Sequence, residues 1–101
     1  MQIYKAPVRD IRFCLETMGY DEVVGLSTFG DYDLDTLMSI VEETGKFCTN
    51  EMLPMNTSGD QEGVKYNPET MDVTTPAGFK ELWAKFRKNG FAAMPHPLEY
   101  G

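Results

Sequence analysis

The sequence predicts an all-α fold: a small helical bundle of three main helices, with a long polar loop between the second and the third. Three observations carry this expectation. Apolar residues recur at steps of three and four in three separate stretches. Each stretch is bounded by residues that start or stop helices. The segment between the second and third stretches, 56–75, is polar and rich in turn formers.

Helix 1 is expected over 8–18. Val8, Ile11, Cys14, Leu15 and Met18 make one face, and Arg9, Asp10, Arg12 and Glu16 fall between them. Pro7 suits a first helical position and Gly19 a stop. Residues 19–32 are rich in Gly, Asp and Ser, with room for a short helical turn from Asp21 to Leu26.

Helix 2 is expected over 33–54. Asp33 is suited to cap its amino end, and Asp35 to its first turn. Leu34, Met38, Val41, Gly45, Cys48, Met52 and Met55 follow at alternating steps of four and three; Leu37, Ile40, Thr44 and Phe47 make a second stripe. Two apolar stripes mean burial from more than one side, so this is the central helix. Small Gly45 and Cys48 leave room for a neighbouring helix to come close. Pro54 is expected to kink or close the helix.

From Asn56 to Thr75 the turn signals are Gly59-Asp60, Glu62-Gly63 and Asn67-Pro68-Glu69. Val64-Lys65-Tyr66 and Met71-Asp72-Val73 have the pattern of a short hairpin. Helix 3 is expected over 76–89, with Thr75 as N-cap and Pro76 as its first residue. Phe79, Leu82, Trp83 and Phe86 form its apolar face. Asn89-Gly90 supplies a left-handed cap, and Phe91 the apolar contact that often follows one. The tail from Ala92, with Pro95 and Pro97 so close, excludes a regular helix.

Composition narrows function by exclusion. At 101 residues the chain has the size of one small domain with a modest core. Its net charge is −7, and nine of its sixteen acids lie in the first fifty residues. An acidic excess repels phosphate backbones, which argues against nucleic acid as a partner. The basic cluster Lys80, Lys85, Arg87 and Lys88 reads as a solvated helix face with cations near a carboxyl end. No run approaches the roughly 18 apolar residues of a membrane span, and the first residues lack the apolar region of a secretory signal. Cys14 and Cys48 lie outside any CxxC and far from the one histidine, so they read as reduced, half-buried thiols of a cytoplasmic protein.

No residue set assembles an active site. His96 is flanked by two prolines near the chain end, without a partner to hold it for acid–base work. Glu42-Glu43 and Asp31/Asp33/Asp35 are acid clusters, but the second lacks the full calcium-loop pattern. Thr57-Ser58 has no nucleophile-elbow context. Gly25, Gly30, Gly59 and Gly63 make no phosphate-binding loop. Phe79, Trp83 and Phe86 read as core. No catalytic, cofactor-binding or metal-binding residue is therefore assigned.

Four segments in order carry a resemblance. They are Tyr4-Lys5-Ala6-Pro7-Val8-Arg9-Asp10-Ile11-Arg12-Phe13; Gly45-Lys46-Phe47-Cys48 leading to Leu53-Pro54-Met55-Asn56; Gly59-Asp60-Gln61-Glu62-Gly63; and Val73-Thr74-Thr75-Pro76-Ala77-Gly78-Phe79-Lys80. Together they resemble the amino-terminal helical domain of the acyl-CoA dehydrogenase superfamily, nearest to its 3-(methylthio)propanoyl-CoA dehydrogenase-like branch. The ending, Gly90-Phe91 to Pro97-Leu98-Glu99-Tyr100-Gly101, is similar to the family's Gly-Trp…Pro-Glu-Glu-Tyr-Gly-Gly. Here Phe91 replaces Trp, and His96-Pro97-Leu98 departs from the simpler Pro-Glu.

The resemblance implies a parent enzyme of fatty acid metabolism that oxidises the Cα–Cβ bond of acyl-CoA thioesters. In it FAD sits in a middle β-domain, a glutamate acts as base, and a second helical domain follows. On that reading residues 1–101 are an incomplete amino-terminal domain, and the base and most flavin contacts lie beyond Gly101. The chain is then a scaffold without its own catalysis, expected to hold no FAD by itself. Its expected partner is the remainder of the enzyme or a second copy of itself. The alternative is a free-standing helical interaction or oligomerisation module derived from the family.

Overall fold

The computed structural model describes residues 3–100. Helix α1 spans Val8–Thr17, α2 Tyr20–Val24 and α3 Leu34–Phe47. The chain continues through a π-helical stretch, Cys48–Met52, into α4, Leu53–Glu62. Strands β1, Lys65–Asn67, and β2, Asp72–Thr74, form an antiparallel hairpin with Tyr66 opposite Val73. Helix α5 spans Phe79–Lys88, and a 3₁₀ turn covers Leu98–Tyr100. The protein is thus all-α apart from this small hairpin. It divides into two compact units, Met1–Thr49 and Asn50–Gly101.

In the first unit α1 packs against α3 and against α2. Val8, Ile11 and Leu15 of α1 are half-buried, as periodicity requires, while Cys14 and Met18 stay exposed. Cys14 is therefore a surface residue, a departure from the expected half-buried thiol: it is turned away from the helix stripe that meets α3. Gly19, at φ 82°, ends α1 in the left-handed region that glycine enters at little cost. Met38 on α3 is the buried apolar side chain, at 4% exposure. The stripe expected around it holds, with Gly45 also buried and Leu34 and Val41 half-buried. The close approach at Gly45 is real, but the neighbour is not a helix. A Cβ on Gly45 would lie 2.6 Å from the Cβ of Ala6, in the segment that precedes α1.

The second long helix departs from expectation at its carboxyl end. It was expected to finish near Pro54, yet Pro54 lies in the first turn of α4 and helix continues to Glu62. Proline has no N–H for the carbonyl four residues back and crowds it. The π-helical widening at Cys48–Met52 lies where that carbonyl, on Asn50, must be accommodated. In the same stretch Thr49 donates its hydroxyl to the Gly45 carbonyl at 3.0 Å, a back-bond of the kind that bends helices. The polar loop accordingly begins at Gly63 rather than Asn56. Gly59 is buried on α4, and a Cβ there would stand 2.6 Å from the ring of Phe79.

The hairpin is placed one residue later than its pattern suggested. Asn67 closes it, its side-chain oxygen accepting from the backbone N–H of Glu69 at 2.9 Å and, at 3.4 Å, of Thr70. Helix α5 begins three residues later than expected. Thr75 does not cap it, and Pro76 is buried ahead of it. Gly78, at φ 86°, is the N-cap instead. The carboxylate of Glu62 accepts from the Ala77 N–H at 2.9 Å, so that donor is satisfied outside the helix. At the far end Gly90 is left-handed at φ 78°, and Phe91 meets Phe86 with ring centroids 5.5 Å apart, as the sequence pattern required.

Candidate functional site

The first unit holds an open depression of about 540 Å³ beside the amino end of α1. Ala6, Pro7 and Val8 come from the chain entering that helix, and buried Met38 lies beneath. Lys5, Arg9 and Arg12 bring positive charge to it; Asp10 and Glu42 bring negative charge. Arg12 is held by Glu16 at 2.9 Å and Asp35 at 3.1 Å. Those two acceptors raise its pKa further above the usual guanidinium value. The recess has the size of a small-molecule pocket. Its chemistry is limited to charge and apolar contact, since no hydroxyl, thiol or imidazole lines it.

The acids singled out in the sequence have structural work. Asp33 caps α3, accepting from the Thr36 N–H at 2.7 Å, and that bond lowers its pKa below the ordinary carboxylate value. Asp35 meets Arg12 across 23 positions of sequence. Glu43 pairs with Lys46 one turn on, raising the lysine's pKa. Tyr20 donates its hydroxyl to the Tyr32 carbonyl at 2.6 Å, closing the 20–32 segment; burial, then the charge of Asp33, raises its pKa. Glu42 borders the recess while Asp31 is exposed elsewhere, so neither acid cluster converges on one point.

The remaining candidates are dispersed. His96 is exposed in the tail, its backbone N–H donating to the Ala93 carbonyl. Ser58 donates to the Pro54 carbonyl within α4. Lys85 reaches Glu51, whereas Lys80, Arg87 and Lys88 stand exposed on α5. Trp83 stacks on Phe86 at 5.4 Å but is 56% exposed, so the aromatic face is only partly core. Among the described residues no three His, Cys, Asp or Glu side chains cluster as a metal site requires. Among them, too, no helix is long and apolar enough to cross a membrane. Sequence reasoning missed the Arg12–Asp35, Tyr20–Tyr32 and Glu62–Ala77 links. Each joins residues far apart in the chain, where periodicity carries no signal.

Comparison with known proteins gives two relatives. The chain is 36% identical over 99 residues to a 3-methylmercaptopropionyl-CoA dehydrogenase of Ruegeria pomeroyi, covering 97% of this chain and 16% of that protein. It is 30% identical over 82 residues to the broad-specificity linear acyl-CoA dehydrogenase FadE5 of Mycobacterium tuberculosis, covering 80% of this chain and 13% of that protein. The chain thus spans about a sixth, or less, of the length of these relatives. No family model matches it.

Proposed function

Since the chain belongs to the acyl-CoA dehydrogenase superfamily, we propose that it is the amino-terminal helical scaffold of such an enzyme and performs no catalysis by itself. The observation that carries this reading is the alignment over 97% of the chain with a protein roughly six times as long. The parent reaction is Cα–Cβ oxidation of an acyl-CoA thioester in fatty acid metabolism, in the cytoplasm. FAD, when bound elsewhere in the parent, supplies the hydride acceptor.

The residues of this chain do not fit a flavin dinucleotide. A diphosphate seeks unsatisfied N–H groups at a helix amino end. At α3 the Asp33 carboxylate already takes the Thr36 N–H. At α1 Pro7 brings no N–H and Asp10 adds negative charge to the first turn. At α5 Glu81 does the same. A phosphate at any of the three would meet a carboxylate. The chain's contribution is therefore shape: α1 and α3 build a first unit, and α4, the hairpin and α5 a second.

The reading frame on either side of these 101 codons tests this. The expected result is one continuous polypeptide several times longer, carrying a β-domain after this segment. Stop codons directly around the segment would overturn the scaffold reading in favour of a free-standing interaction module.

A further inference from the structure

Helix α5 presents an outward stripe that neither the fold nor the scaffold reading uses. Trp83 is 56% exposed on it. Lys80 precedes it by three residues and Arg87 follows by four, so the three side chains are surface neighbours. Both cations are exposed, and among the described residues the ion pair that α5 makes is that of Lys85 with Glu51. A basic aromatic stripe runs against the chain's net charge of −7.

Its chemical complement is on the same chain. Residues 20–35 contain Asp21, Glu22, Asp31, Asp33 and Asp35 and no Lys or Arg. Asp33 is occupied by the Thr36 N–H and Asp35 by Arg12. Asp21, Glu22 and Asp31 are exposed. Among them Leu26 and Phe29 are 55% and 56% exposed. The Tyr20–Tyr32 hydrogen bond ties the ends of this segment together, so its surface is held in place.

We propose that the Lys80–Trp83–Arg87 stripe of one copy docks on the acidic, apolar 20–32 segment of a second copy. Lysine and arginine meet Asp21 and Glu22, and the Trp83 ring covers Leu26 and Phe29. Because the two patches differ in charge, each contact pairs the basic stripe of one copy with the acidic segment of another. This inference is independent of the scaffold reading.

Sedimentation of the full chain over a concentration series tests it, at about 0.1 M salt, where a Debye length of about 10 Å mutes the net repulsion between copies but spares contact pairs. The native chain is expected to rise above 11.4 kDa with concentration. Lys80→Glu with Arg87→Glu makes both patches acidic and is expected to return the mass to the monomer. Asp21→Lys with Glu22→Lys makes both patches basic and is expected to do the same, although it moves the net charge from −7 four units toward zero. Mixing the two variants restores opposite charges at each contact and is expected to restore association. All four side chains are exposed, and circular dichroism checks that each variant is folded. A native chain that stays monomeric overturns the proposal and leaves the stripe to a different acidic partner. Association that survives both reversals overturns it in favour of an apolar contact.

Discussion

Gly45 and Gly59 are helical residues at which one added carbon would collide with a packed neighbour. A Cβ on Gly45 lies 2.6 Å from Ala6, and one on Gly59 lies 2.6 Å from the Phe79 ring. Neither neighbour is the far end of a flexible chain, so the backbone or ring must shift. Overpacking of this kind costs about 1–3 kcal/mol. Thermal denaturation of Gly45→Ala should show a lowered midpoint, and an unchanged one would mean that the segment before α1 is not packed as described. Asp33 offers a test through pH. Its folded pKa is depressed by the Thr36 N–H, so its contribution is present above the usual carboxylate value of about 3.9 and is lost as pH falls through the lowered folded value. The native chain should melt above Asp33→Asn at neutral pH, and the gap should close in acid. A gap constant with pH would remove the carboxylate from the account. This cap was legible in the sequence because capping is local: an Asp ahead of an apolar stripe needs only the N–H three residues on. The role of Ala6 opposite Gly45 was not, since 39 positions separate them.

At the scale of elements, the amphipathic helices were readable and the rest was not. Helix α1 and the first three turns of α3 follow their stripes because each buries one face. Helix α4, in contrast, carries Asn56, Thr57, Ser58, Asp60, Gln61 and Glu62, with no stripe to betray it. Its contacts are tertiary: Gly59 on the Phe79 ring, and Met55 near Gly78. The start of α5 was misjudged because Thr75-Pro76 has the composition of a helix opening, while Glu62 already binds the Ala77 N–H. The π-helical stretch before α4 is traced here to Pro54. Restoring an N–H with Pro54→Ala gives the Asn50 carbonyl a partner four residues on, and the far-UV helical signal should rise. A signal that stays the same would transfer the cause to Thr49. The hairpin is expected to be the least protected element. Both strands are exposed throughout, and a lone two-stranded hairpin is marginal in water.

For the whole molecule, the decisive feature is how little is buried. Among the described residues Met38 and Pro76 are the buried apolar side chains, while Phe13, Leu26, Phe29, Tyr66, Val73 and Trp83 are all more than half exposed. Met38→Ala should cost about 2–5 kcal/mol, against the roughly 5–15 kcal/mol that hold a small domain together. Denaturant titration should find the midpoint of that variant clearly lowered; a midpoint near the native one would show that stability resides elsewhere. The dispersal of the candidate side chains is a tertiary matter: His96 lies in the exposed tail, Asp33 caps α3, and Asp35 and Glu43 sit in ion pairs. The exposed apolar surface on α5 and in 20–32 was not legible in the sequence, because exposure depends on which faces meet; the second stripe of α3, Leu37, Ile40 and Phe47, is half-buried. The central claim is that this chain is scaffold without chemistry. Titrating the purified chain with FAD, and following acyl-CoA-dependent reduction of a dye in the same cuvette, tests it most directly. The account predicts no saturable change in flavin absorbance and no reduction above the rate with free FAD. Saturable flavin binding or turnover with any acyl-CoA would contradict it.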